Sequence, residues 1–292
     1  MKPAPFAYFA PATLDEAVSL LARHAGEAKV LAGGQSLMPL LNMRLARPAV
    51  LVDLRRLAGL DFIREADGGV ATGAMTRKRT VERSELVARR QPLLRAATRL
   101  IAHPQIRNQG TVGGSLAQAD PAAEYPAVAV ALDAKLRAVG PGSERTIDAA
   151  DFFVTYLTTA LEGAEVLTEV RWPGLGPREG WAIQEVARRH GDFAMAGAVV
   201  RLVLDASGRC ADARIVPFGV GPTPVRARGA EQVLMGEALG DALFARAARA
   251  AAEELDEPLA DVHASADYRR HLAQVLVRRA LSEAADRAAE AR

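Results

Sequence analysis

Two short glycine-bearing stretches are the residues of this sequence best suited to chemistry. The first, Ala32–Ser36, reads Ala-Gly-Gly-Gln-Ser, and the second, Thr111–Ser115, reads Thr-Val-Gly-Gly-Ser. Glycine allows positive φ and has no β-carbon, so backbone N–H groups can converge on an anion, while serine adds a hydroxyl donor. Each stretch alone is also typical of a plain turn. As a matched pair they favour a site for a phosphate-bearing ligand such as a pyrophosphate.

The common nucleotide motifs are not found in the sequence. No G-x-G-x-x-G follows a first strand with an acidic residue about 20 positions further on, which argues against a Rossmann dinucleotide site. No G-x-x-x-x-G-K-[ST] is present either, which argues against a P-loop nucleotidase. The residues alone therefore predict a phosphate-bearing ligand held by two glycine stretches, and no more.

Composition excludes several classes of protein. The 292 residues suggest about two domains, and the net charge of +2 with dispersed arginines gives no basis for nucleic-acid binding. A single cysteine, Cys210, cannot form an internal disulfide, a zinc site or an iron–sulfur cluster, and it fits a cytoplasmic location. The first residues have no apolar core long enough for a signal peptide, and no apolar run of about 18 residues occurs, so neither a signal peptide nor a membrane span is expected.

The periodicity of apolar residues predicts an α+β fold rather than a regular βαβ alternation. Thr13 and Glu16 have capping-box spacing before a helix over 14–24, and Asn108–Ser115 reads as a loop. The segment Pro173–Pro177 concentrates helix breakers and is the best domain boundary. Beyond it we expect three antiparallel strands, at 181–187, 198–204 and 211–217, and three helices, near 227–235, 241–255 and 267–290.

The glycine stretches and their surroundings resemble the FAD-binding medium subunits of molybdenum hydroxylases of the carbon monoxide dehydrogenase and xanthine dehydrogenase type. The matching segments occur in order along nearly the whole chain: Lys29–Ser36, Gly73–Thr76, Ile106–Ser115, Asp120–Glu124, Arg188–Ala194, Tyr268–Leu272 and Arg278–Leu281. Together they are far more specific than either glycine stretch.

The resemblance implies a fold and a division of the chain. Residues 1–177 would form the two-lobed FAD-binding fold of the vanillyl-alcohol oxidase type, with lobes at about 1–57 and 58–177. Residues 178–292 would form a small C-terminal flavoprotein domain with a three-stranded antiparallel sheet and a helical bundle. The strands and helices expected from periodicity in the second half agree with this architecture.

The resemblance also implies which residues bind FAD, whereas no residue of this chain is expected to be catalytic or to bind a metal. The stretches that would hold the pyrophosphate through backbone donors and hydroxyls comprise Lys29, Val30, Leu31, Ala32, Gly33, Gly34, Gln35 and Ser36, and Thr111, Val112, Gly113, Gly114 and Ser115. Glu124 would bind hydroxyls of the flavin side chain, and Ile101 and Leu167 match apolar positions that line the flavin. From spacing alone, Ile101 and Leu167 are simple core residues.

Three positions depart from relatives in this family. Gln184 stands where xanthine dehydrogenases have a lysine, Phe193 where the carbon monoxide enzyme has a tyrosine near the isoalloxazine, and Gln35 where some relatives have a histidine. Stacking by an aromatic ring survives the change from tyrosine to phenylalanine, but the hydroxyl is lost. The changes at Phe193 and Gln35 argue against carbon monoxide as the substrate. His103, before Pro104, is expected to have a structural role at a helix end.

The family likeness implies partners. A molybdenum-cofactor large subunit would oxidise the substrate, and a small subunit with two [2Fe–2S] clusters would deliver electrons one at a time to FAD. The flavin would pass them to an external acceptor, a quinone or NAD. The lone cysteine agrees with this division and argues against the benzoyl-CoA reductase branch, in which the flavin subunit carries an extra cluster.

Two alternatives remain open at the level of sequence. One is a self-sufficient FAD-dependent oxidoreductase of the same superfamily, which needs its own acid–base residues, for which His190 and Asp192 are the main candidates. The other is a structural subunit that has lost the flavin, against which the intact glycine pairs argue.

Overall fold

The computed structural model describes residues 2–224, 226–256 and 258–291, and they form an α+β fold. The strands are β1 Ala7–Phe9, β2 Ala28–Leu31, β3 Val50–Asp53, β4 Ile63–Ala66, β5 Gly69–Gly73, β6 Lys135–Gly140, β7 Ser143–Asp148, β8 Phe153–Thr155, β9 Thr158–Thr159, β10 Val166–Trp172, β11 Glu179–Ala187, β12 Ala194–Leu204 and β13 Cys210–Phe218. The helices are α1 Leu14–Arg23, α2 Leu37–Asn42, α3 Lys78–Arg83, α4 Glu85–Arg90, α5 Pro92–Leu100, α6 Pro104–Gln109, α7 Val112–Gln118, α8 Glu124–Ala131, α9 Ala149–Phe152, α10 Arg228–Leu234, α11 Asp241–Glu253 and α12 Ala266–Glu290, with a 3₁₀ turn at Leu54–Arg56.

The N-terminal sheet is parallel, with β3 between β1 and β2. Helix α1 begins at Thr13, whose hydroxyl accepts from Glu16 N–H at 3.2 Å, and the Glu16 carboxylate accepts from Ala12 N–H at 3.0 Å. The apolar side of α1 packs with β3 in a small core. The predicted helix is confirmed, and the sheet delivers the first glycine stretch at the end of β2.

The second sheet has five antiparallel strands in the order β4-β5-β10-β6-β7. Its hairpin β4–β5 turns through Asp67 and Gly68, which have φ of 49° and 76°. Positive φ at both central residues is the type I′ turn that suits the twist of a hairpin. Helix α8 packs over the sheet with every residue buried, so it is apolar on all sides apart from Glu124.

The C-terminal sheet is antiparallel in the order β11-β12-β13, and α10, α11 and α12 pack with it around a separate core. All three predicted strands and all three predicted helices are present. Gly219 N–H, just after β13, donates to the carbonyl of Pro121 at 2.8 Å. This bond joins the C-terminal sheet to the segment that leads into α8.

The predicted loop over 108–115 is wrong, because α6 and α7 occupy most of it. Thr111 caps α7 by accepting from Gly114 N–H at 3.0 Å, so both glycines lie in the first helical turn. A β-carbon on Gly113 would lie 2.8 Å from the Ala74 carbonyl oxygen. Close packing against Ala74 therefore requires glycine there, despite its low helix propensity.

No helix in the described part of the chain is both long and apolar enough to cross a membrane.

Candidate functional site

The two glycine stretches lie against each other, although they are far apart in sequence. The face of Gly33 that lacks a β-carbon is turned to the carbonyl of Gln109, and a β-carbon there would also lie 2.8 Å from Gly110 Cα. A β-carbon on Gly114 would lie 3.4 Å from Ala32 Cβ. The glycines therefore allow the end of β2 to approach the start of α7. The sequence analysis predicted that the two stretches lie together. It also predicted that the glycines lack a β-carbon to make room for a ligand, whereas in the structure they make room for each other's backbone.

The backbone donors of the two stretches are used differently. Within 2–224, 226–256 and 258–291, the N–H groups of Gly33–Ser36 donate to no acceptor, and Gly34 has φ of 72°. In the second stretch, Val112 N–H donates to Thr76 O at 3.0 Å and Gly113 N–H to Ala74 O at 2.8 Å. The prediction that both stretches offer backbone donors is therefore wrong for Val112–Gly114. Their N–H groups are turned into the protein to fix α7.

A cavity of about 350 Å³ opens beside the first stretch. It is lined by Leu31 to Gly34, Met38, Arg55, Arg77 and Gln109. This volume lies within the range of small-molecule sites. The wall that carries the unpaired N–H groups of Gly33 and Gly34 is the one that can receive an anion.

Two arginines are fixed beside this cavity. The Arg55 guanidinium lies 2.5 Å from the Asp53 carboxylate, which is fully buried and also accepts from Tyr8 Oη at 2.7 Å. Arg77 donates from Nη1 to the carbonyl of Gln109. Arginine is suited to phosphate because its planar fork presents several donors. Sequence reasoning missed both residues, since arginines are spread along the whole chain.

A buried cluster of charged groups lies next to the second stretch. Lys78, which is 8% exposed, donates from Nζ to Ser115 Oγ at 3.3 Å, and Nζ lies 5.4 Å from the centre of the Tyr125 ring. Burial lowers the pKa of Lys78 to about 8, against the opposing charge of Glu124. Burial raises the pKa of Glu124 to about 7, and it raises the pKa of Asp120 too.

The members of this cluster have few partners for buried charges. Glu124 is 8% exposed and, within the described residues, accepts no hydrogen bond apart from one from its own N–H. Burying a charged side chain without a hydrogen-bond or ion-pair partner costs free energy, and a bound ligand can supply the missing partner. Glu124 was predicted and Lys78 was not, although Lys78 stands two positions after the matched segment Gly73–Thr76.

The apolar residues predicted to line the flavin lie in the main core. Ile101 and Leu167 are each 5% exposed and belong to one hydrophobic cluster with Val112 and Leu116. In the first segment, Lys29 is exposed on β2, Val30 is half-buried and Leu31 is buried. Ile101 and Leu167 are therefore core residues beside the second stretch. This position is compatible with a purely structural role and with a role in lining the flavin.

The two predicted residues of the C-terminal part lie on β11 and in the turn that follows it. Gln184 Nε2 donates to Glu283 of α12 at 2.6 Å, and Gln35 Nε2 donates to Gly33 O at 2.9 Å. Phe193 is 68% exposed in the turn between β11 and β12. The same turn packs on His103, because a β-carbon on Gly191 would lie 2.6 Å from His103 Nδ1. His103 precedes α6 as its N-cap residue, as its predicted structural role requires.

Taken together, these features place a cavity with unpaired backbone N–H groups and two arginines at the end of β2. The family model described as the FAD binding domain in molybdopterin dehydrogenase matches residues 4–175. The model described as the CO dehydrogenase flavoprotein C-terminal domain matches residues 181–284.

Curated relatives and solved structures agree. The chain is 43% identical to the 6-hydroxypseudooxynicotine dehydrogenase complex subunit alpha of Paenarthrobacter nicotinovorans, over 99% of this chain and 97% of that protein. It is 40% identical to the carbon monoxide dehydrogenase medium chain of Hydrogenophaga pseudoflava, over 97% and 98% respectively. A structure of that organism's carbon monoxide dehydrogenase, lacking the Mo-pyranopterin moiety of its cofactor, superimposes with a TM-score of 0.95 over 98% of this chain and 99% of that one.

The chain belongs to the family of FAD-binding medium subunits of the carbon monoxide dehydrogenase and xanthine dehydrogenase type. It is an FAD-dependent oxidoreductase subunit, and the predicted family, fold class and cofactor are confirmed.

Proposed function

We propose that this chain relays electrons from the [2Fe–2S] clusters of a small partner subunit, through FAD, to an external acceptor, a quinone or NAD. A third subunit with the molybdenum cofactor oxidises the substrate. The relatives named as subunits or medium chains of dehydrogenase complexes support this assignment. The single cysteine supports it as well, because a cluster held by four cysteines must lie on another chain.

The observation that carries the proposal is the set of unpaired N–H groups at Gly33–Ser36 beside Arg55 and Arg77. Backbone donors and guanidinium groups fit a diphosphate, which needs many donors and positive charge. In this assignment the first stretch and the two arginines hold the diphosphate. Ser115, Lys78 and Glu124 bind the polar chain between the diphosphate and the flavin ring.

The apolar side of the site and the division of the chain are parts of the same proposal. Ile101 and Leu167 line the flavin from the core side, and Phe193 approaches it from the C-terminal part. Gln184, which is bonded to Glu283 of α12, supports β11 from the opposite face of the sheet. We place the FAD-binding domain at 1–177, with lobes at about 1–57 and 58–177, and the C-terminal domain at 178–292. Bound FAD supplies the exchange between one-electron and two-electron steps, while the protein binds, orients and shields it.

The relay is tested with the complex that copurifies with this chain. Photochemical reduction of the complex should bleach the iron–sulfur absorbance first and the flavin absorbance next, followed by reduction of added quinone or NAD. A complex assembled with a variant chain unable to hold FAD should still reduce its clusters and no longer reduce the acceptor. Equal acceptor reduction without FAD, or turnover of small organic substrates by the isolated chain, would contradict the relay.

The contribution of Arg77 is tested by Arg77→Ala. Loss of one charge-assisted hydrogen bond to phosphate should weaken FAD binding by about tenfold. The affinity is measured by quenching of flavin fluorescence during titration of the FAD-free chain. The matched control is Arg79→Ala on the same helix, because Arg79 pairs with Glu82 at 2.8 Å and does not line the cavity. Equal losses in the two variants would remove Arg77 from the site.

A further inference from the structure

Glu185 is a half-buried residue with one buried carboxyl oxygen that makes no hydrogen bond within the fold. It lies on β11 opposite Gly197 of β12, and its Oε2 atom is shielded from solvent. Among the residues that the structure describes, Oε2 has no hydrogen-bond partner. Native proteins rarely retain a buried polar atom without a partner, so each such atom requires an explanation.

The surroundings of Glu185 join it to the flavin side of the molecule. The hydrogen bond from Gly219 N–H to Pro121 O holds the C-terminal sheet against the segment that leads into Glu124. Burial and, to a smaller extent, the charge of Glu124 together raise the pKa of Glu185 to about 8. On the other side of β11, the charged groups of α12 are already paired, Arg287 with Glu283 at 2.6 Å. At neutral pH the Glu185 carboxyl group therefore keeps its proton and carries an O–H donor.

Three polar groups with too few partners lie on the two sides of this junction between the parts of the chain. The Glu124 carboxylate accepts only from its own N–H, the Lys78 ammonium has one protein acceptor, Ser115 Oγ, and Glu185 Oε2 has none within the described chain. Two of them come from the FAD-binding part and one from the C-terminal sheet. A polar ligand between the two parts would supply the missing partners.

We propose that Glu185 completes the flavin site from the C-terminal sheet by donating a hydrogen bond from its protonated carboxyl group to an acceptor atom of the bound flavin. The inference rests on the FAD site proposed above. A donor at this position stabilises reduced flavin more than oxidised flavin, because the reduced ring carries more electron density. Glu185 therefore raises the midpoint potential of the flavin as well as its affinity.

The test compares Glu185→Ala with Glu185→Gln in the full chain loaded with FAD. Glu185→Ala should bind FAD about tenfold more weakly. A tenfold loss of preference for reduced flavin should lower the midpoint potential by about 30 mV for a two-electron couple. Glu185→Gln retains an N–H donor and should restore both values to near wild type. The control, Asp212→Ala, removes a carboxylate from another strand of the same sheet and should leave the potential unchanged.

The outcomes separate this inference from the proposed function. An unchanged potential in Glu185→Ala overturns the inference, even when the affinity falls, because a merely structural role does not discriminate between redox states. A shift in Glu185→Gln as large as that in Glu185→Ala overturns it as well, because the donor is then irrelevant. A wild-type chain that takes up no FAD overturns the proposed site together with the inference.

Discussion

Replacing Gly33 with valine is expected to give a chain that contains no FAD. A β-carbon at position 33 collides with the carbonyl of Gln109 and crowds Gly110, so the end of β2 must move away from α7. The N–H groups of Gly33 and Gly34, which line the cavity together with Arg77, are then displaced. Hydrogen bonds to charged groups contribute about 1.5–3 kcal/mol each, so losing two weakens binding at least ~100-fold. The measurement is the ratio of flavin absorbance to protein absorbance after purification.

A matched control separates this effect from a general cost of valine in place of glycine. Gly163 is exposed and has nothing within 4 Å of its β-carbon position, so Gly163→Val should purify with full FAD content. Circular dichroism checks that the Gly33→Val chain keeps its secondary structure. If it does not, Gly34→Ala is the milder test, since Gly34 has φ of 72° and its added β-carbon would lie 3.1 Å from Met38 Cγ. FAD retained at one molecule per folded Gly33→Val chain would disprove the assignment of the first stretch.

The FAD-free chain is expected to become less stable as the pH rises from 5 to 8. Glu185→Gln should remove the part of this loss that Glu185 causes, while Glu124, whose pKa is also raised, causes a further part. Burial, with a smaller effect from Glu124, raises the folded-state pKa of Glu185 to about 8 from the ordinary value of 4.5. Between these values the unfolded chain releases the proton while the folded chain keeps it, so rising pH favours unfolding. The stability that the protonated group provides is complete below about pH 4.5 and is lost as the pH approaches 8.

Urea unfolding at pH 5 and at pH 8 measures this contribution. A raised carboxyl pKa of this size corresponds to about 2 kcal/mol once the coupling to Glu124 is discounted. Glu185→Gln should therefore exceed wild type by about 2 kcal/mol at pH 8 and by much less at pH 5. Glu144→Gln, which changes an exposed carboxylate paired with Arg137, should give no such gain. A gain of equal size at both pH values would mean that the Glu185 proton is not responsible.

Helix caps and the spacing of apolar residues correctly predicted those elements whose local conformational preference agrees with their tertiary packing. Helix α1 follows from the cap at Thr13 and its apolar spacing, and the strands β11 to β13 follow from their alternation. The second glycine stretch was misread because two glycines in sequence indicate a turn. The packing of Gly113 on Ala74 selects a helix there, and this contact spans almost 40 residues of sequence.

The sequence predicted only those residues of the candidate site whose type and spacing are themselves distinctive. Glycine pairs are visible in sequence, whereas Lys78 and Glu185 are ordinary charged residues until the fold buries them. Burial and neighbouring charges depend on tertiary structure, which the spacing of a single sequence does not contain. The direction of the N–H groups in α7 has the same origin, because their acceptors, Ala74 and Thr76, belong to another segment.

The wholly buried helix α8 has a consequence for how the protein is made. The ring of Tyr125 in α8 lies 6.0 Å from that of Trp172 in β10, and α8 also packs on β12 and β13, so the two family-matched parts share one inner wall. While the chain emerges from the ribosome, this wall stays uncovered until β13 has been synthesised. A fragment that ends at the linker would expose the same apolar surface and would aggregate.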